Sequence, residues 1–152
     1  MPCARGSVAS ATGLRRRTYV ILLISIIALG LAIHLHGFGL PGAARDILGD
    51  ALWASMIFWI ASLAAPGSAI VARVVMALAI CFAVEFSQHI QHPMLGAIRG
   101  TSLGHLVLGS DFDARDLLAY TAGIAVSAVL AWYLLYRAKY LTETRAPPTF
   151  PS

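Results

Sequence analysis

Four stretches of this chain are long enough, and poor enough in charge, to cross a lipid bilayer. Tyr19 to His34 reads YVILLISIIALGLAIH and holds no charge, and Ile47 to Ala64 holds one acid near its start. Ala69 to Phe86 reads AIVARVVMALAICFAVEF with one charge near each end, and Leu117 to Tyr136 has none. A hydrocarbon core of ~30 Å takes ~20 helical residues at ~1.5 Å each. No water at that depth completes the backbone hydrogen bonds, so open strands are excluded and helices follow. Composition agrees: 59% of the 152 residues are hydrophobic and 12% are charged. That is too little polar surface for a water-soluble globule and too much apolar surface for a disordered chain.

The expected fold is all-α, a four-helix transmembrane bundle with an interfacial or re-entrant segment between helices 3 and 4. The membrane domain covers residues 19–136, with helices at about 19–36, 47–64, 69–88 and 115–136. Basic tails, 1–18 and 137–152, flank it. Gly37, Gly39, Pro41 and Gly42 break the chain after helix 1, and Pro66-Gly67 makes a tight turn. Arg15, Arg16 and Arg17 before an apolar run resemble a signal peptide, but no A-x-A-like site follows, so helix 1 is expected to be retained. Helix 1 is mostly Ile and Leu and should be peripheral. Helices 2 to 4 carry Ala51, Ala54, Ala61, Ala77, Ala83, Ala119, Gly123 and Ser127, small residues that permit close packing.

The stretch from His89 to Asp113 is too long for a plain loop, too apolar for disorder and too rich in glycine for a fifth span. It reads as a lid dipping into the outer interface and carrying Arg99 over the acids of helices 2 to 4, with at least one short helix between Met94 and Gly109.

Lys and Arg are unevenly divided. Arg5, Arg15, Arg16, Arg17, Arg73, Arg137, Lys139 and Arg145 fall on the side of the termini, and Arg45, Arg99 and Arg115 on the other. The positive-inside rule then makes both termini cytoplasmic. Six of the seven acids and all five histidines fall on the outer side, which is where any chemistry is expected.

Asp50, Glu85 and Asp116 sit at similar depth near the outer ends of three helices. A carboxylate facing lipid is costly, so these acids should face one another or the arginines. Like charges at that range repel unless cations intervene, and Arg99 and Arg115 are the available partners. Asp46, Asp50 and Trp53 share a helix face, as do Glu85, Gln88 and His89. Asp116, Tyr120, Gly123 and Ser127 form a polar and small-residue stripe.

Glu85, His89 and His92 have helical spacing for a metal, but Pro93 ends the helix there and no H-E-x-x-H occurs, so no metal is expected. No cofactor is expected either. Cys3 and Cys81 make no disulfide framework, the basic residues form no nucleic-acid motif, and no G-x-S-x-G, phosphate loop or dinucleotide fingerprint is present.

The runs GDALWASMIFW (Gly49 to Trp59), VEFSQ (Val84 to Gln88), IRGTSLGHLVLG (Ile98 to Gly109) and DLLAYTAG (Asp116 to Gly123) together resemble a family of small bacterial membrane proteins. This is domain-of-unknown-function family 2809, related to the VanZ-like proteins. The resemblance implies a multi-pass protein of the bacterial inner membrane with no assigned activity. The motif residues it carries over are Asp50, Glu85, Gln88, Arg99, Thr101, Gly104, Gly109, Asp116, Tyr120 and Gly123. The VanZ-like relation points to the cell envelope.

The favoured functional expectation is a binding or modulating protein, more a binder than an enzyme. Its outward-facing pocket of Asp50, Glu85, Gln88, Arg99, Thr101, Asp116 and Tyr120 would hold a lipid headgroup or cell-envelope precursor, with Arg99 on phosphate or carboxylate. Nucleic acid is not an expected partner. The alternatives are a structural or assembly subunit within a homo- or hetero-oligomer, an enzyme on a lipid-linked substrate using Glu85 as general acid or base, and a proton-coupled transporter.

Overall fold

The computed structural model describes residues 4–90, 92–102, 104 and 112–144. The helices are α1 (Ala4–His36), α2 (Gly42–Ala64), α3 (Ile70–Ser87), a short α4 (Pro93–Arg99) and α5 (Ala114–Thr144). No strand occurs among the described residues. Arg15–His36, Gly42–Ala64, Ile70–Ser87 and Ala114–Arg137 are each long and apolar enough to cross a membrane. The protein is a multi-pass membrane protein.

The exposed surface makes the same point. Ile21, Leu35, Val71, Leu118, Val126 and Val129 are each more than 60% exposed. In water such a surface would drive aggregation, whereas in a bilayer it faces lipid tails as apolar as itself.

Helix ends depart from the boundaries expected of the sequence. α1 runs back to Ala4 through the basic stretch expected to be a tail, and α5 runs on to Thr144. Once a span is helical, each further Ala, Arg, Lys or Leu adds a hydrogen bond without a new nucleus. α2 begins at Gly42 rather than near Ile47, because the Pro41 carbonyl accepts from Ala44 N at 3.0 Å and Arg45 N at 3.1 Å. The α1–α2 corner has three successive left-handed residues, Gly37 (φ 63°), Phe38 (φ 44°) and Gly39 (φ 68°). The Gly37 N–H donates to Ile33 O at 2.9 Å and closes α1.

Packing centres on α2, which touches α1, α3 and α5. α1 lies along α2 and is the least enclosed span, with 11% of its apolar stretch buried against 33% for α2 and α5. On the α1–α2 seam, the Tyr19 and Trp59 rings are 5.3 Å apart, and Phe58 meets Trp59 edge-on. The α2–α5 seam depends on Gly123. A Cβ there would collide with the Ala51 carbonyl oxygen, so the two backbones touch. Ser55 Oγ bridges the same point, donating toward Ala51 O (2.7 Å) and Gly123 O (3.0 Å). Ala54, Ala61, Ala77, Ala119 and Ser127 are buried as expected of small packing residues, but Ala83 faces outward.

Only Arg73, Ala77, Cys81 and Glu85 are buried on α3. They recur every fourth residue, so one side of this helix enters the bundle with a charge at each end and small residues between.

Candidate functional site

Glu85 is fully buried, at 0% exposure, and its carboxylate is the acceptor around which one end of the bundle closes. Tyr120 of α5 donates its hydroxyl to Oε2 at 3.0 Å. The Asp113 backbone N–H donates to Oε1 at 2.9 Å, and the Gln88 amide to Oε2 at 3.3 Å. The local sequence explains this arrangement. Asp113 caps α5: its Oδ1 accepts from Arg115 N at 2.9 Å, and its carbonyl accepts from Asp116 N at 3.0 Å. Glu85 thus meets the positive, N-terminal end of the antiparallel neighbour α5, although it stands near the C-terminus of its own helix.

Asp50 and Asp116 lie beside this centre, half-buried, with their carboxyl groups in hydrogen-bonding range of each other. Among the described residues, the charges acting on Asp50 are Asp116, Glu85 and Asp46, and those acting on Asp116 are Glu85, Asp113 and Asp46. All are acids. Trp53 completes the wall, its ring 5.5 Å from Tyr120.

Two expected members are elsewhere. Arg99 does not reach Glu85. Its Nη2 donates to Ser87 O (2.7 Å) and Ser87 Oγ (3.2 Å), and its Nη1 to Ile90 O (3.4 Å). These groups lie at and just beyond the C-terminus of α3, where a cation suits the helix dipole, and the Ser87 carbonyl also accepts from Ile90 N at 2.9 Å. Thr101 is exposed and organises the turn after α4, donating to Ile98 O at 2.7 Å and accepting from Gly104 N at 3.0 Å. The structure therefore unites Asp50, Glu85, Gln88, Asp116 and Tyr120, and leaves Arg99 and Thr101 on the α4 side.

α4 itself has no buried residue, and His92 Nδ1 caps it by accepting from Met94 N at 3.3 Å. His89 packs its ring 4.4 Å from Phe112. Glu85, His89 and His92 do not converge, and no group of three His, Cys, Asp or Glu among the described residues is arranged to hold a metal ion. Gly109, His105, Asp111 and Cys3 lie outside the described residues.

At the opposite end, sequence reasoning missed the second buried charge. Arg73 is 2% exposed. It donates to Pro66 O (2.9 Å), Ser68 O (2.6 Å), Ser68 Oγ (3.1 Å) and Tyr19 Oη (3.3 Å). It ties the α2–α3 turn to α1. The available signal was an arginine about three helical turns before Glu85, on the same side of an otherwise apolar span.

Residues 39–124, more than half of the chain, match the family described as "Protein of unknown function (DUF2809)". The chain belongs to the DUF2809 family. No solved structure matches it. The DUF2809 segment takes in α2, α3, α4 and the first turns of α5, and with them every residue of the carboxylate cluster. α1 and the distal part of α5 fall outside it.

Proposed function

We propose that this protein lies in the bacterial inner membrane with both termini cytoplasmic, and that its outer end binds the primary ammonium of a lipid headgroup or cell-envelope component. The eight-to-three division of Lys and Arg supports the orientation. The observation that carries the binding reading is the convergence of Asp50, Glu85 and Asp116 from three helices, with only acids among the described residues acting on the two half-buried members. Two carboxyl groups in hydrogen-bonding range of each other share a proton, and an ammonium in its place offers three donors and the missing positive charge. The displacement of Arg99 to the end of α3 removes the basis for a phosphate pocket on this side.

Roles divide within the cluster. Glu85 has both oxygens engaged and no exposure, so it positions α5 against α3 rather than working as a general acid or base. Asp50 and Asp116 remain for the ligand. The test is thermal melting of the detergent-purified protein with added phosphatidylethanolamine or phosphatidylcholine. The primary amine should stabilise the protein more than the quaternary one, which has no N–H to donate. Asp50→Asn with Asp116→Asn should abolish the difference. Equal stabilisation of the native protein by both lipids would count against the reading.

A further inference from the structure

The end of the bundle opposite the carboxylates carries a second surface. α1 has 33 residues and α5 has 31, about 50 and 46 Å at ~1.5 Å per residue, so each overruns a ~30 Å apolar slab. Both overrun it at the same end, where α1 starts and α5 finishes. The apolar spans of the two helices meet that boundary at Arg15 and Arg137.

Arg15, Arg16, Arg17 and Arg137 are all exposed there. Just inside them, α5 exposes Trp132, Tyr133 and Tyr136, at 59%, 47% and 58%. Trp132 and Tyr136 stack at 5.7 Å, and the Arg137 guanidinium lies 5.9 Å from the centre of the Tyr133 ring. Amphipathic rings at this depth mark the headgroup level, so the four guanidinium groups stand among the phosphates. The sequence on this side is short of counter-charge, with eight cations against one acid, Glu143. Buried Arg73 takes up none of it, since its partners among the described residues are carbonyls and hydroxyls.

We infer that this end of the bundle is a docking surface for anionic phospholipid headgroups, gathered by Arg15, Arg16, Arg17 and Arg137 above an aromatic belt. The guanidinium fork matches phosphate oxygens in pairs, and clustered basic residues at a membrane boundary attract anionic lipid additively. The surface is separate from the carboxylate cluster and does not depend on what that cluster binds.

The test uses the full chain in mild detergent micelles doped with equal phosphatidylglycerol and phosphatidylcholine, with bound lipid counted by native mass spectrometry. The native protein should retain phosphatidylglycerol preferentially. Neutralising Arg15, Arg16 and Arg17 together to Gln should reduce that preference by about fivefold per arginine, and Arg137→Gln by about fivefold alone. Raising salt from about 0.05 M to about 0.5 M should weaken it in the native protein, a readout independent of whether any variant folds. Asp50→Asn with Asp116→Asn should leave it intact, which separates this surface from the amine site. Equal retention of the two lipids, a salt-independent preference, an unchanged preference in the triple variant, or an acidic protein retained in place of lipid would each overturn the inference.

Discussion

Arg73 and Glu85 stand on the same side of α3, twelve residues or about 18 Å apart, both buried and each at the end of the helix where its own dipole disfavours it. Both are stabilised by the antiparallel neighbours. Arg73 bonds the carbonyls of Pro66 and Ser68, just beyond the C-terminus of α2. Glu85 accepts an N–H at the N-cap of α5. The charges therefore fix how α3 sits between α2 and α5, because sliding or inverting it would strand both.

Arg73→Ala should lower stability by about 3 kcal/mol or more, because carbonyls at the α2–α3 turn lose a charged donor in a region with little water. Tyr19→Phe should cost about 1 kcal/mol, since it removes one long hydrogen bond and keeps the ring against Trp59. Melting temperatures of the two variants in one detergent give the ranking.

Glu85 and Tyr120 should be strongly coupled. Glu85→Ala leaves the Tyr120 hydroxyl and the Asp113 N–H without an acceptor, at about 1–3 kcal/mol each. Tyr120→Phe alone should cost about 1.5–3 kcal/mol, as expected for a hydrogen bond to a charged group. In a double-mutant cycle the second change should cost much less once the first is made.

Glu85 and Arg99 should behave independently. Their bonds go to different partners, Tyr120 and Asp113 for one, Ser87 and Ile90 for the other. Glu85→Gln and Arg99→Gln should then add within about 0.5 kcal/mol. A rescue of one change by the other would indicate a direct ion pair. The measurement is the melting temperature of the four members of the cycle.

Gly123→Ala should be among the most damaging methyl additions in the chain. Its Cβ meets a backbone oxygen of α2, which cannot rotate away, so the helices must separate at a cost of about 1–3 kcal/mol. Gly49→Ala, where a Cβ meets nothing, is the control and should be near neutral or slightly stabilising. Unfolding in mild denaturing detergent compares the pair.

The four spans were legible in the sequence because apolar length is a one-dimensional property that survives without tertiary knowledge. Depth was legible in part: Glu85 and Asp116 lie within a turn of a helix end, Asp50 sits about two turns inside α2 because that helix starts at Gly42, and the bundle brings the three together. Direction was not. The spacing of Arg99 in a glycine-rich stretch does not say which acceptors it meets, and only the fold reveals that it turns to the carbonyls of Ser87 and Ile90. Arg73 was passed over for a related reason. A lone arginine near a helix end reads as a solvated interfacial charge until Tyr19, Pro66 and Ser68 are seen around it.

The amine site stands or falls on the affinity of phosphatidylethanolamine for the native protein, for Glu85→Gln and for Asp50→Asn with Asp116→Asn, titrated in mild detergent and read by native mass spectrometry against phosphatidylcholine. The native protein should prefer the primary amine by about tenfold, the worth of one charged hydrogen bond. The preference should be lost in the Asp50 and Asp116 double variant and largely kept by whatever fraction of Glu85→Gln remains folded. No preference in the native protein, or one that survives loss of both aspartates, would contradict the assignment of the site.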